Sequence, residues 1–224
     1  MPMAKATRQL VDGDGAAAGP RRLTAQGLER KQQLLDSAAA LFAERGYAET
    51  RVLDIVRRAG VAKGLFYWYF ENKEALFREL VVHHRQALRK AQAAAMDPDA
   101  EPLLRIRQGV EATLATMSSH AHFFAMLQVE NLDQRFADLL VRGSEIHVAD
   151  TIRLIKEGIA DGTIREEEPE LLALGVNSAV AYYGHFHRTG RVQMPITDLA
   201  EFVGRYVVRV LAVDDEIADR VLRA

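Results

Sequence analysis

Apolar residues recur every three or four positions along most of this chain, and this period is the feature that most constrains its fold. Leu34, Leu35, Ala38, Leu41 and Phe42 form one such stripe, and Gly46 follows as a candidate helix end. Because no stretch alternates apolar and polar residues over the length of a strand, the sequence predicts no sheet. We therefore expect an all-α protein.

The sequence divides into three stretches of different character. Residues 1–23 are rich in Gly, Ala and Asp and lack an apolar period, so we expect a disordered N-terminal tail. Residues 24–72 predict a helix, a short helix, a tight turn at Gly60 and a third helix, which is the helix-turn-helix arrangement. Residues 73–224 predict a larger helical domain, and its first helix, 73–96, connects the two units.

Charge is distributed unevenly between the two halves. Residues 1–90 contain 16 Lys and Arg against 10 Asp and Glu, and the remaining residues contain 13 against 21. A basic N-terminal part joined to an acidic remainder is expected when only the N-terminal part binds a polyanion. The chain has no cysteine, which excludes thiol nucleophiles, thiolate metal sites and disulfides. With no apolar run suited to export or to a membrane span, we expect a cytoplasmic protein.

An ordered set of short segments carries the strongest functional signal. They are LLDSAAALFAERGY at 34–47, DI at 54–55, AGVAKG at 59–64, FYWYF at 66–70 and NKEAL at 72–76. Together they resemble the DNA-binding domain of the TetR family, densely over residues 30–80. The resemblance implies a ligand-responsive regulator of transcription that binds double-stranded DNA as a homodimer. A repressor of this kind leaves its palindromic operator when a small, largely apolar molecule binds.

The third predicted helix supplies residues suited to a major groove. Such a helix needs exposed groups near its N-terminus for base edges, with cationic or hydroxyl groups beside it for phosphates. The resemblance implies that Lys63 and Gly64 approach bases or backbone, and that Tyr67 and Lys73 contact phosphates. Phe66 and Phe70, four residues apart, are expected in the core instead. The predicted DNA-binding residues are Thr50, Arg51, Ala62, Lys63, Gly64, Leu65, Tyr67, Trp68, Tyr69 and Lys73.

Three positions depart from the pattern of the family. Ala62 replaces a Ser or Thr, which removes a preferred helix cap worth about 1 kcal/mol. Leu65 replaces a Thr and could contact a thymine methyl group, whereas Arg51 replaces a Ser or Thr and adds a charge near the DNA backbone. Thr50 is the remaining candidate to cap the second helix. We therefore expect an operator sequence that differs from the family norm.

The resemblance also assigns roles within the larger domain. The last two large helices are expected to pack against those of a second chain as a four-helix bundle, and the middle helices to enclose the ligand. Ordinary intrachain core is the alternative for both sets. The predicted dimer-forming residues are Leu171, Leu172, Ala179, Tyr182, Phe186, Leu199, Phe202, Val203, Tyr206 and Val210. The predicted ligand-binding residues are Leu114, Met117, Phe123, Met126, Asn177, Val180 and Tyr183.

Two other functions remain open at this point. A metal-dependent enzyme would need His120, His122, His185 and His187 to gather, but each pair is two residues apart, so its rings leave a helix in different directions. No nucleophile motif or glycine-rich phosphate loop accompanies them. We therefore expect no catalytic residues, no metal and no cofactor. The other alternative is a helical interaction module that has no ligand.

Overall fold

The structure, a computed structural model, describes residues 24–127 and 137–224. Within these ranges the chain forms ten helices: α1 (Ala25–Glu49), α2 (Val52–Ala59), α3 (Lys63–Tyr69), α4 (Lys73–Ala95), α5 (Pro102–Ser119), α6 (Ala121–Met126), α7 (Ala137–Ala160), α8 (Pro169–Arg188), α9 (Ile196–Leu211) and α10 (Asp215–Arg223). The described ranges contain no strand, only an isolated bridge between Ile164 and Ala212. The all-α prediction is confirmed. The predicted tail, 1–23, lies outside the described residues.

Two glycines with positive φ shape the first three helices. Gly46 interrupts the regular geometry of α1 at φ 84°, where the sequence predicts a helix end. Gly60 caps α2 at φ 67° and makes the tight turn towards α3. Glycine adopts these angles without the steric cost of a Cβ atom. Both glycines lie where the sequence predicts a change of direction.

The N-terminal helices enclose an aromatic core. Phe42, Phe66 and Phe77 are fully buried in it, together with aliphatic side chains of α1, α2 and the first half of α4. α6 adds Phe123 and Met126, and it packs directly on α1. This core therefore extends beyond residue 72, at which the sequence predicts a domain boundary.

A second, mostly aliphatic core holds the larger domain together. α5 lies at its centre, in contact with α4, α7, α8 and α9. α9 contributes Leu199, Val203 and Val207, which are spaced four residues apart and fully buried. Among the described helices, none combines the length and the hydrophobicity that a membrane span requires.

Candidate functional site

The short helix α3 presents one exposed face. Phe66 and Phe70 are buried in the aromatic core, as predicted, and they fix the orientation of this helix. Tyr67 and Trp68 point away from that core, with about half of each side chain exposed. The Lys63 ammonium lies 5.9 Å from the centre of the Tyr67 ring. The face therefore combines a positive charge with two aromatic rings.

The neighbouring residues leave this face open. Ala62 is the exposed N-cap of α3 and makes no side-chain cap bond, as its methyl group dictates. A Cβ atom added to Gly64 would meet nothing within 4 Å. Leu65 is half-buried. Arg51 is exposed at the N-cap of α2, and its backbone N–H donates to the Asp54 carboxylate at 3.1 Å. For these positions the DNA contact stays a prediction.

Thr50 is not available for DNA contact, and the prediction for it is wrong. Its side chain is fully buried, and its hydroxyl donates to the Gly46 carbonyl at 2.8 Å. Thr50 is the C-cap of α1, and the N-cap of α2 is Arg51. The hydroxyl therefore closes the interrupted end of α1 instead of capping α2.

The side chains of Lys73 and Tyr69 make contacts within the protein, and their DNA contacts stay predictions. The Lys73 ammonium donates to the carbonyls of Tyr47 at 2.6 Å and Thr50 at 2.7 Å, and it lies 4.0 Å from the centre of the Tyr47 ring. Its donors are thus directed at the end of α1, where helix carbonyls favour a cation. The Tyr69 hydroxyl donates to the Gly27 carbonyl at 2.7 Å. Both side chains hold α1 against the helices that follow it.

A cavity of about 860 Å³ opens among α4, α5, α6, α7 and α8. Four of the predicted ligand-binding residues line it: Met117, Phe123, Asn177 and Val180. The middle helices therefore enclose a space large enough for a small molecule, whose binding stays a prediction.

The other three predicted ligand-binding residues lie elsewhere. Leu114 and Met126 are fully buried, one in each hydrophobic core, and neither reaches the cavity wall. Tyr183 lies on the opposite side of α8, with its ring 5.9 Å from that of Phe202 on α9. Apolar character alone could not separate a cavity wall from solid core.

Sequence reasoning missed the polar residues of this cavity. Arg85, Arg89 and Gln92 line it from α4, interleaved with Leu88 and Met96. These positions are three or four residues apart and so form one helix face. A stripe that mixes arginines with apolar residues was the available signal.

Burial lowers the pKa of four side chains in the cavity wall. The pKa of His84 falls to about 4 because burial disfavours the charged ring. His84 stacks on Phe123 with ring centres 4.0 Å apart, and its Nδ1 lies 2.8 Å from the Leu80 carbonyl oxygen. Burial likewise lowers the pKa of the side chains of Arg85, His147 and Arg188. The cavity is therefore a place where positive charge is removed from water.

An apolar face lies on the outside of α8 and α9. Tyr182, Phe202, Tyr206 and Val210 are exposed there, and Leu171 is exposed at the start of α8. Leu172, Ala179 and Phe186 are half-buried. A concavity of about 240 Å³ on this face is lined by Gly175, Ser178, Ala179, Tyr182, Tyr183, Phe186 and Tyr206.

Leu199 and Val203 are not part of that face, and their assignment to the dimer is wrong. Both are buried against the chain's own α5 and α8, on the inner side of α9. α9 therefore has two apolar sides. One belongs to the core, and the other, with Phe202 and Tyr206, faces outward.

The histidines do not form a metal centre in the described residues. His84 and His120 are neighbours, with ring centres 4.9 Å apart, but His84 also stacks on a phenylalanine. No group of three or more His, Asp or Glu side chains in ranges 24–127 and 147–224 has the geometry to hold a metal ion.

The three-helix unit and its exposed α3 face define a helix-turn-helix protein. The profile of the family described as "Bacterial regulatory proteins, tetR family" matches residues 34–80. The repressor DhaR of Mycobacterium sp. strain GP1 is 30% identical over 64% of this chain and 74% of its own length. The repressor KstR2 of Rhodococcus jostii RHA1 is 30% identical over 62% of this chain and 69% of its own. The chain belongs to the TetR family.

Other comparisons define the extent of the similarity. The "Probable acrEF/envCD operon repressor" of Escherichia coli K12 is 28% identical over 54% of this chain, and the match spans 58% of that repressor. The structure of the ketosteroid transcriptional regulator KstR2 of Mycobacterium tuberculosis superposes with a TM-score of 0.71. It is 24% identical and covers 83% of this chain and 96% of its own. Identity at this level supports the fold alone.

Proposed function

We propose that this protein is a DNA-binding regulator of transcription that acts as a homodimer on a palindromic operator and releases it when a small molecule occupies the cavity. The observation that carries the proposal is the exposed face of α3, where Lys63, Tyr67 and Trp68 project from a helix that Phe66 and Phe70 anchor. A helix held in this way keeps its exposed side chains in fixed positions for a major groove.

The parts of this interface have different tasks. Lys63 at the start of α3 is suited to a guanine edge or a phosphate, and the Tyr67 hydroxyl is suited to a phosphate. Arg51, exposed at the N-cap of α2, adds a positive charge to the same three-helix unit. Lys73 also positions the interface, because its bonds to the Tyr47 and Thr50 carbonyls hold the end of α1 next to α4.

The outer face of α8 and α9 supports the homodimer. Exposed tyrosine and phenylalanine side chains surround a shallow concavity there, and aromatic residues of this kind dominate protein interfaces. A two-fold dimer places two recognition helices about 34 Å apart, so that both read one face of the duplex. One small helix per chain then suffices for a specific site.

The cavity supports control by a small molecule. Its walls are mostly apolar, with a few polar groups, as small-molecule sites tend to be. Two similar structures are described as a ketosteroid regulator and a fatty acid degradation regulator, which favours an effector with a large apolar part. A coupling of about 1–3 kcal/mol between cavity and DNA would weaken operator binding by about 5 to 150-fold.

One experiment tests the proposal. Random duplex DNA is selected on the purified protein, and the enriched sequence is titrated at several salt concentrations. We expect a short palindrome with steep salt dependence. Lys63→Gln should weaken binding to it at least about fivefold, since a direct base contact contributes about 1–3 kcal/mol. Lys90→Gln, on an exposed part of α4 away from α3, is the matched control and should bind like the wild type.

The outcomes separate the alternatives. An enriched sequence without two-fold symmetry would contradict the dimeric arrangement. If no sequence is enriched, and neither Lys63→Gln nor Lys90→Gln changes the residual DNA affinity, the proposed regulator is rejected. The alternative function, a helical interaction module, then takes its place.

A further inference from the structure

Two methionine side chains of the cavity wall lie directly against glycines of a neighbouring helix. Met117, on α5, packs on Gly184 of α8, where an added Cβ atom would lie 2.7 Å from the Met117 Cε and 3.2 Å from its Sδ. Met96, the C-cap of α4, packs in the same way on Gly109 of α5, where an added Cβ atom would overlap its Cε. Both methionines line the cavity. Each therefore occupies a position that only glycine leaves open.

The backbone does not require either glycine. Gly109 lies within α5 and Gly184 within α8, and neither has a positive φ. A helix interior favours alanine over glycine, because glycine loses more conformational freedom on folding. What the two glycines contribute is therefore space, and in each case a methionine side chain fills it.

The two methionine–glycine pairs are separated along the cavity wall. Gly109 and Met117 lie eight residues apart on α5, which corresponds to about 12 Å along the helix axis. Thr113, midway between them on the same face, also lines the cavity. A small ligand can thus contact one pair at most, whereas a ligand that extends along this wall contacts both.

A larger residue at either glycine would push its methionine into the cavity. Nonbonded carbon atoms stay about 3.5–4.0 Å apart, so an alanine at position 184 would displace the Met117 methyl group by about 1 Å. Met117 is buried within the larger core, and the cavity is the empty space beside it. Its unbranched side chain can make this movement without rearranging the helices. The substitution therefore narrows the cavity and leaves the core in place.

Resting on the function proposed above, we propose that Gly109 and Gly184 set the size of the effector. By holding Met96 and Met117 against α5 and α8, they keep the cavity wide enough for a bulky apolar molecule that contacts both methionines. The cavity volume of about 860 Å³ is in the range that encloses a ligand of this size. Small apolar molecules bind weakly, because they leave one pair uncovered.

The test compares saturated ring alcohols that differ in size. Cyclohexanol, decalol and androstanol, with one, two and four rings, are used to displace the fluorescent probe N-phenylnaphthylamine from the full chain. We expect the affinity to rise at each step, and at least about tenfold from the smallest to the largest, because each buried methylene group contributes to binding. The probe is titrated alone into every variant first, so that its own affinity is known.

Two glycine substitutions locate the size limit. Gly184→Ala should weaken androstanol binding at least about fivefold, because the displaced methyl group enters the space of the ligand, and should leave cyclohexanol binding unchanged. Gly109→Ala should act in the same direction. Gly204→Ala is the matched control, because its added Cβ atom meets a flexible side chain, that of Glu111, outside the cavity. It should bind all three alcohols like the wild type.

A double substitution separates this mechanism from a general effect on α8. Met117→Ala removes the side chain that Gly184→Ala displaces. In the Met117→Ala background, Gly184→Ala should therefore no longer weaken androstanol binding. A loss that persists in the double variant would contradict the displacement of Met117.

Three results would overturn the inference: an affinity that falls from decalol to androstanol in the wild type, no displacement of the probe by any alcohol, or an unchanged preference for androstanol in both glycine variants. The first two need only the wild-type protein, so they decide even if a variant fails to fold. Operator affinity without ligand is measured in parallel. If it is intact while the size preference is missing, the bulky effector is rejected and the regulator is retained. If no operator is bound while the size preference is present, the ligand site is retained and the regulator is rejected.

Discussion

The two hydrophobic cores of this chain are built differently. The N-terminal core is aromatic and close-packed, with the Phe42 ring 5.2 Å from that of Tyr47 and 5.9 Å from that of Phe77. The core of the larger domain is mostly aliphatic and borders a cavity of about 860 Å³. Close packing resists deformation, whereas a wall that lacks partner atoms on one side can move at lower cost. The difference suits a rigid N-terminal unit, α1–α3, joined to a larger domain, α4–α10, that deforms more easily. We call the first part the reader and the second part the sensor, after their proposed functions.

α6 belongs to both regions. Phe123 is buried in the aromatic core and also lines the cavity, and Phe124 packs against both cores. Since α6 lies directly on α1, any displacement of the Phe123 ring acts on the first helix of the N-terminal unit. The two cores therefore meet at a single short helix, α6.

Truncating one side chain in each core gives the largest expected effect. Phe42→Ala should cost about 3–5 kcal/mol of unfolding free energy, because a fully buried ring leaves a void among rigid neighbours. Met117→Ala should cost about 2 kcal/mol, since its side chain already borders empty space. Urea denaturation of both variants measures the difference. Equal losses would mean that the cavity wall is as tightly packed as the reader.

The sequence predicts the reader far better than the sensor, because the reader depends on local patterns. The spacing of Phe66 and Phe70 places them in the core correctly, and Gly46 and Gly60 mark the turns. The bonds of Lys73 could not be predicted from the sequence, because its acceptors, Tyr47 and Thr50, lie 26 and 23 residues away along the chain. Such contacts leave no periodic signal.

α9 shows why the dimer face could be predicted only in part. Leu199, Val203 and Val207 recur every four residues, as do Phe202, Tyr206 and Val210. A helix packed between its own core and a partner has two apolar sides. The period of the apolar residues does not show which side is buried in the chain's own core. The burial of the first set identifies the inner side. The cavity was harder still, because five helices distant in sequence converge on it.

His84 makes the boundary between the two cores sensitive to pH. Burial lowers its folded-state pKa to about 4 from the ordinary value of 6.5, so the unfolded chain takes up the proton first as the pH falls. The stability associated with the neutral ring is complete above about pH 6.5 and is lost progressively down to pH 4. Between pH 7 and pH 5 the loss should be about 2 kcal/mol.

Denaturation of wild type and His84→Phe at both pH values isolates this effect. Phenylalanine keeps a ring on Phe123 and cannot titrate, so the variant should lose about 2 kcal/mol less than the wild type over this interval. His122→Phe, at an exposed position of α6, is the control and should follow the wild type. If His84→Phe and the wild type lose stability equally, His84 is not held neutral at the boundary.

The smallest expected effect is confined to the rigid reader, at the start of α3. Ala62 is an exposed N-cap without a side-chain acceptor, so Ala62→Ser should raise the free energy of unfolding by about 0.5–1 kcal/mol. Ala62→Gly is the matched control and should gain less, because glycine lacks the hydroxyl that accepts a backbone N–H bond. Neither change touches the cavity, so ligand affinity should stay constant while the urea midpoint rises in Ala62→Ser. A gain in stability accompanied by altered ligand binding would show that the start of α3 is coupled to the sensor. The reader and the sensor would then not be mechanically separate, contrary to the comparison of the two cores.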